Sequence, residues 1–146
     1  MVDAERAEAR IERLEEFLER LETVRARGEA AYLADPEQQA MTERWLQLAV
    51  QVCIDLGAQI ASERSAPPPS DYADVFTVLR AAKVLPDELA QRLGEAARQR
   101  NLLVHLYMEI DSRAVFASLD RLDDLRQFAA IVEELLADPD DPDSTD

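Results

Sequence analysis

The segment MTERWLQLAVQVCIDLGAQI, residues 41–60, decides the fold class of this 146-residue chain. In a helix, its apolar side chains would nearly encircle the axis. A helix that is apolar on almost every side must lie at the centre of a domain, or be covered on a second side by a partner subunit. Asp35 is a favourable N-cap residue and Pro36 suits the first helical position. The sequence therefore predicts a central helix that begins at Pro36.

The segments on both sides of this helix also have helical patterns. Apolar residues at 3-4-3 spacing predict a helix over residues 3–33, interrupted near Gly28. After the proline run at residues 67–69, Ser70 can cap a short helix over residues 71–83. We predict a fourth helix from Pro86 to about Met108, and a fifth over residues 112–137 that Asp111 caps.

These segments predict an all-α protein, an up-and-down bundle of about five helices joined by short connections. By its length the chain forms one domain, residues 1–137. The tail DPDDPDSTD, residues 138–146, is acidic and punctuated by prolines, so we expect it to be disordered.

The composition limits the partners that this chain can bind. It has 16 basic and 31 acidic residues and a net charge of −15, which repels a phosphate backbone. Any contact with nucleic acid must come from a local basic site, and residues 91–113 are the candidate because their net charge is +1. The single cysteine, Cys53, lies in an apolar run and is expected to be a buried, inert thiol. No signal peptide or membrane-spanning segment is visible, so we expect a cytoplasmic protein.

The candidate site is RQRNLLVHLYMEID, residues 98–111, which contains the only histidine, His105. A helical wheel places Leu102, Leu103 and Leu106 on one arc, and we expect these leucines to anchor the helix in the core. Polar side chains occupy the other side: Arg98, Arg100, Asn101, His105 and Tyr107. Alternatively, this polar side is simply solvated, with arginines in salt bridges and an ordinary surface histidine.

The chemistry open to this site is narrow. One histidine and one cysteine do not make a zinc site, and we find no nucleophile elbow and no glycine-rich phosphate loop. What is left is metal-free acid–base catalysis by His105, with an arginine that stabilises charge on a phosphate. RNA suits this pair because its 2′-hydroxyl can be the nucleophile. Cleavage needs both a base and an acid, which a two-fold dimer could supply from two copies of His105.

The segment RNLLVHLY, Arg100 to Tyr107, resembles the R-x4-H-x-Y signature of HepT-like toxins in the HEPN superfamily. Residues 43–63 are similar to the second helix of that family. The proline turn and short helix of residues 67–93 resemble the approach to its motif. The resemblance covers residues 43–111, about half of the chain.

This resemblance implies a homodimeric helical bundle with a ribonuclease site between the subunits and no cofactor. Arg100 and His105 would be the catalytic pair, supported by Asn101. Tyr107 matches the tyrosine that a nucleotidyltransferase antitoxin of the MntA type modifies with AMP. The leading hypothesis is a metal-independent endoribonuclease toxin of a type II toxin–antitoxin system, with Arg98 as a further supporting residue from the wheel.

Two other functions stay open at this point. The chain could be a catalytically inactive HEPN binding module in complex with a nucleotidyltransferase, its motif kept for nucleotide contact. It could also be an acidic helical interaction protein that has no site. Sensitivity of RNA cleavage to His105→Ala separates the first hypothesis from both alternatives.

Overall fold

The computed structural model describes residues 4–137, except for the side chain of Tyr107. The predicted acidic tail, residues 138–146, lies outside the described residues. Within residues 4–137 the chain forms α-helices and short 3-10 turns and no strand, so the predicted all-α fold class is confirmed. The α-helices are α1 Ala4–Arg27, α2 Glu29–Leu33, α3 Pro36–Glu63, α4 Asp74–Ala81, α5 Asp87–His105, α6 Ser112–Ser118 and α7 Leu122–Ala137. The 3-10 turns are Tyr107–Glu109 and Leu119–Arg121.

Helix α3 is the central element, as predicted. It packs against α1, α2, α4, α5 and α7, and its buried residues extend from Thr42 to Ala61. Asp35 caps its start, because the carboxylate accepts a hydrogen bond from the backbone N–H of Gln38 at 3.1 Å. Other helices of the same chain therefore cover most of the apolar surface of α3. A partner subunit is not needed to explain why α3 is apolar on nearly every side.

Two of the predicted helices are interrupted. Gly28 has φ +92°, in the left-handed region that favours glycine, and it separates α1 from α2. The last predicted helix is divided by the 3-10 turn Leu119–Arg121 into α6 and α7. Its start is as predicted, since the Asp111 carboxylate accepts from the backbone N–H groups of Arg113 and Ala114.

Helix α4 is shorter than the predicted helix over residues 71–83. It begins at Asp74, whose backbone N–H donates to the Asp71 carboxylate at 2.8 Å. The predicted capping by the Ser70 side chain is wrong, because Ser70 instead donates its own backbone N–H to the Asp74 carboxylate at 2.8 Å. At its other end, Lys83 has φ +64°. The two hydrogen bonds of Asp71 and Asp74 hold the residues just before α4 in a compact turn.

Helix α5 has the opposite orientation to the one predicted. Its buried residues are Leu89, Ala90, Leu93, Gly94 and Ala97. Leu102 and Leu106 are 52% and 44% exposed, so they do not anchor the helix. Only Leu103 packs against the core. The predicted leucine anchor is therefore wrong for two of its three members, because the side of α5 that faces the bundle is set by the seam that precedes the motif.

Cys53 is fully buried, as predicted, and burial raises the pKa of its thiol. This thiol is therefore neutral and inaccessible at physiological pH. Across the described part of the chain, no helix is long and apolar enough to cross a membrane.

Candidate active site

Arg100 lies in the penultimate turn of α5, on the side that continues the buried seam. Its Nη1 donates a hydrogen bond to the Asn101 side-chain oxygen at 3.1 Å. Its guanidinium carbon is 5.0 Å from the ring centroid of Tyr72, which is within the range of a cation–π contact. Its Nε is buried and has no hydrogen-bond partner among the described residues. Arg100 is thus half-buried between α5 and the loop that precedes α4.

His105 is the last residue of α5, and it is exposed. Its imidazole makes no hydrogen bond or ion pair with the described residues. Arg100 and His105 are five positions apart, which separates them by about 7.5 Å along the helix axis and roughly 140° around it. One chain therefore presents the two groups on different sides of α5.

Arg98 lies in a groove between α4 and α5. The groove has a volume of about 400 Å³ and is also lined by Asp71, Asp74 and Arg80. The Arg98 guanidinium lies beside Gly94, because a Cβ added to that glycine would be 3.7 Å from Arg98 Nη1. Arg98 is thus on the His105 side of the helix but extends back towards the preceding turn.

Tyr107 does not continue α5. The helix ends at His105, Leu106 has φ −121° and ψ 43°, and Tyr107 is the first residue of a 3-10 turn. The prediction that α5 extends to Met108 is wrong. A wheel drawn through Tyr107 as part of α5 therefore does not place this residue relative to Arg100.

Two of the arginines in the predicted basic segment, residues 91–113, form ion pairs with acidic residues of other helices. Arg92 pairs with Asp124 of α7 at 2.8 Å, and Arg113 pairs with Glu29 of α2 at 3.3 Å. By contrast, no carboxylate of the described residues pairs with Arg100. Its full positive charge is therefore available to an anion.

Exposed apolar side chains surround the end of α5. Leu102 and Leu106 are joined by Met108, which is 85% exposed. We call this region the Leu102–Leu106–Met108 surface. Leu102 is three positions before His105, so the two side chains are neighbours on the helix surface. His105 thus lies beside an apolar surface that the single chain leaves uncovered.

A family model described as "Ribonuclease HepT-like" matches residues 8–134, nearly the whole chain. The chain belongs to the HepT-like ribonuclease family. A curated relative of this HepT-like chain, the tRNA nuclease HepT of Aphanizomenon flos-aquae, is 31% identical over 128 residues. That alignment covers 88% of this chain and 86% of the relative.

Solved structures agree with the HEPN-like fold of this HepT-like chain. The HEPN toxin of Shewanella oneidensis, solved in AMPylated form in complex with an MNT antitoxin, superposes with a TM-score of 0.82 and 24% identity. That match covers 91% of this chain and 98% of the toxin. The cytosolic protein YutE of Bacillus subtilis superposes with a TM-score of 0.79 and 19% identity, over 92% and 91% of the two chains. At these identities the superpositions establish the fold alone.

Tyr72 is the residue at this site that sequence reasoning missed. It lies outside the R-x4-H motif, 28 positions before Arg100, in the loop between α3 and α4. The one signal in the sequence is an aromatic residue shortly after three prolines, in a loop where a solvated side chain would be expected. Only the packing of that loop against α5 brings the ring to Arg100.

Proposed function

We propose that this HepT-like chain is a metal-independent endoribonuclease toxin of a type II toxin–antitoxin system, with Arg100 and His105 as its catalytic pair. The observation that carries the proposal is an intact R-x4-H motif at the end of α5 whose arginine pairs with no described carboxylate. The 31% identity to a tRNA nuclease supports RNA as the substrate class.

The position of His105 supports a site shared between two copies of the chain. Each chain has one imidazole, and the reaction needs a base and an acid. A second copy that covers the Leu102–Leu106–Met108 surface would also contact His105, which lies beside it. Because a two-fold interface places the same patch on both sides, it brings two copies of His105 to one cleft. We therefore propose that the chain forms a homodimer.

The proposed reaction is an internal transfer within RNA. One His105 accepts the proton of a 2′-hydroxyl, and the resulting oxygen attacks the adjacent phosphorus. The bond from phosphorus to the 5′-oxygen breaks, and the second His105 donates a proton to that leaving oxygen. Arg100 stabilises the negative charge that develops on the non-bridging oxygens. The products are a 2′,3′-cyclic phosphate and a 5′-hydroxyl, and opening of the ring by water gives a 3′ phosphate.

RNA cleavage by the purified chain in the presence of a chelator tests this proposal. Loss of a general acid–base group costs roughly 10²- to 10⁴-fold in rate, so His105→Ala should lose activity on that scale. Arg100→Ala should also lose activity, while both variants keep the helical circular dichroism spectrum. Arg13→Ala is the matched control, because Arg13 is an exposed α1 arginine paired with Glu16 at 2.8 Å.

Two outcomes would contradict the nuclease proposal. Wild-type activity in His105→Ala would remove the acid–base role, and loss of wild-type activity in chelator would remove metal independence. A stable complex with a nucleotidyltransferase, without any cleavage by the wild type, would instead favour the inactive HEPN binding module.

We further propose that Tyr107 is the residue through which an MntA-type nucleotidyltransferase antitoxin neutralises the toxin. The Shewanella oneidensis toxin was solved as an AMPylated protein with its MNT antitoxin, which supports this kind of partner. In this chain Tyr107 begins the 3-10 turn that follows α5, two residues after the proposed catalytic histidine. An AMP group adds a phosphate anion next to the catalytic pair, and it repels RNA in a chain whose net charge is already −15.

Intact mass spectrometry with the nucleotidyltransferase and ATP tests the acceptor. The wild type should gain AMP units and stop cleaving RNA. Tyr107→Phe should stay active and escape neutralisation, whereas Tyr72→Phe, the matched change at a tyrosine in the loop before α4, should be modified like the wild type. The same mass gain on Tyr107→Phe would show that the acceptor is a different residue.

A further inference from the structure

Tyr72 belongs to no part of the R-x4-H motif, yet its ring is the aromatic group that touches the proposed catalytic arginine. We propose that Tyr72 is a positioning residue, which holds the Arg100 guanidinium in the orientation that receives the scissile phosphate. This inference rests on the proposed function, because it assigns a role to the surroundings of Arg100.

The contacts of Arg100 show why a ring is needed. Among the described residues, the Asn101 oxygen at 3.1 Å and the Tyr72 ring at 5.0 Å are the groups that hold the guanidinium. The buried Nε has no acceptor there, so this N–H does not fix the side chain. Asn101 contacts only Nη1, so this hydrogen bond alone does not fix the plane of the guanidinium. Packing against the ring restricts this rotation.

An aromatic ring has a particular advantage over the usual partner of an arginine. A carboxylate would fix the guanidinium equally well, but it would neutralise the positive charge that the phosphate needs. Arg92 shows this arrangement, since its guanidinium is bound to Asp124 at 2.8 Å. A ring attracts the cation through its quadrupole and carries no net charge. Tyr72 can therefore orient Arg100 and leave its charge for the substrate.

Prolines and hydrogen bonds restrict the backbone of the loop that carries Tyr72. Prolines at residues 67–69 restrict the backbone just before it. Its own carbonyl accepts from the backbone N–H of Val75 at 3.3 Å, and the carboxylates of Asp71 and Asp74 bind backbone N–H groups on either side at 2.8 Å. Tyr72 is nevertheless 43% exposed, so it borders both the arginine and solvent.

Replacing the ring should lower the rate more than it lowers substrate affinity. A cation–π contact of ordinary strength corresponds to roughly two- to thirty-fold in an equilibrium or a rate. We expect Tyr72→Leu to reduce kcat within that range, with a smaller change in KM, because orientation of the guanidinium matters most in the transition state. Tyr72→Phe keeps the ring and should keep most of kcat.

The experiment compares kcat and KM of Tyr72→Leu, Tyr72→Phe and Arg20→Ala with those of the wild type. Arg20 is the matched control, because its guanidinium carbon lies 5.7 Å from the Trp45 ring centroid, in an arginine–aromatic pair on other helices. A loss in Tyr72→Leu that Tyr72→Phe restores, with normal rates in Arg20→Ala, supports the proposal. Equal losses in both Tyr72 variants, or an equal loss in Arg20→Ala, overturn it.

A double-mutant cycle by thermal unfolding tests the contact without any RNA. The effects of Tyr72→Leu and Arg100→Ala should not add in the double variant, because each change removes the same contact. Additive effects overturn the proposal. Tyr72→Gln, which keeps a polar side chain without a ring, replaces Tyr72→Leu in both experiments if the leucine variant does not fold.

The two proposals fail in different ways. If Arg100→Ala is inactive and Tyr72→Leu has the wild-type kcat, the role of Tyr72 is refuted and the nuclease proposal stands. If Arg100→Ala cleaves RNA at the wild-type rate, the nuclease proposal is refuted, even where the unfolding cycle shows that the contact exists.

Discussion

Leu106→Glu should dissociate the proposed dimer and stop cleavage, and it should leave the fold of each chain intact. Leu106 is the residue that follows α5, and 44% of it is exposed in the single chain. A glutamate at this position can therefore extend its charge into water in the isolated chain. At an interface centred on the Leu102–Leu106–Met108 surface, the same charge would be buried without a partner.

The exposed fraction of Leu106 gives the scale of the effect. Complete burial of a leucine side chain contributes about 2 kcal/mol, so covering the exposed 44% of Leu106 contributes roughly 0.9 kcal/mol per copy. A two-fold interface contains the residue twice, which gives about 2 kcal/mol per dimer, or roughly 20- to 30-fold in the dissociation constant. Burial of the glutamate charge adds to this loss.

Sedimentation equilibrium over a range of concentrations measures the change, and RNA cleavage by the same samples gives the functional consequence. Met41→Glu is the matched control, because Met41 is an apolar residue on α3 with nearly the same exposure, 45%. A dimer of unchanged strength in Leu106→Glu would refute the placement of the interface. So would dissociation of Met41→Glu alone. Cleavage by a fully monomeric variant would refute the shared site itself.

Three further predictions concern the bundle. Gly57→Ala should lower the free energy of unfolding by about 1–3 kcal/mol, because the added Cβ would lie 2.7 Å from Cγ1 of Val75. A melting temperature equal to that of the wild type would contradict this close packing. Asp124→Ala should lower the free energy of unfolding in urea by about 1–2 kcal/mol, since it leaves Arg92 without its 2.8 Å partner. If the double variant Arg92→Ala/Asp124→Ala loses as much, the unpaired arginine is not the cause of the loss. Burial raises the pKa of Tyr32 to about 12, above the value near 10 expected in the unfolded chain. The folded state therefore keeps the Tyr32 hydroxyl proton to a higher pH than the unfolded chain does. The free energy of unfolding should fall as pH rises from about 10 to about 12. Tyr32→Phe should remove that part of the fall, and an unchanged alkaline slope would contradict this expectation. The same variant should stabilise the fold at neutral pH, because the buried hydroxyl has no partner among the described residues; a stability at or below that of the wild type would contradict this second expectation.

The sequence predicted those parts of the fold that depend on local chemistry. Asp35 and Pro36 specify the start of α3 because capping and proline preferences act within one turn. Asp111 specifies the start of α6 for the same reason. The central place of α3 was also predictable, because a helix with apolar residues on most sides has no stable position at a surface. Gly28 marked an interruption, although the change to φ +92° could be located only in the structure.

The orientation of α5 could not be predicted from the motif alone. A helical wheel places the three large leucines on one arc, and their apolar size favours that arc as the buried side. The bundle instead packs the smaller residues Ala90, Gly94 and Ala97, together with two earlier leucines. Small residues give a weak hydrophobic signal, yet they allow close approach of neighbouring helices. The large leucines therefore mark a surface that the single chain leaves exposed. The polar residues Arg100 and Asn101 lie on the side of α5 that continues the buried residues.

This inverted orientation gives the exposed leucines and the inward arginine a common explanation. The exposed apolar residues at the end of α5 fit the interface of the proposed homodimer. Arg100 faces inward, with Nη1 on the Asn101 amide oxygen and its guanidinium near the Tyr72 ring. In the proposed mechanism these contacts hold it in one orientation before any substrate binds, which is what stabilisation of a developing charge requires. The strong negative charge of the chain is compatible with this arrangement, because screening confines charge effects to about 8–10 Å at physiological salt. Arginines elsewhere in the bundle, such as Arg92, Arg113 and Arg121, are bound to acids of other helices. Arg100 differs from these three arginines in its partners rather than in its residue type, which leaves its charge for the proposed cationic site.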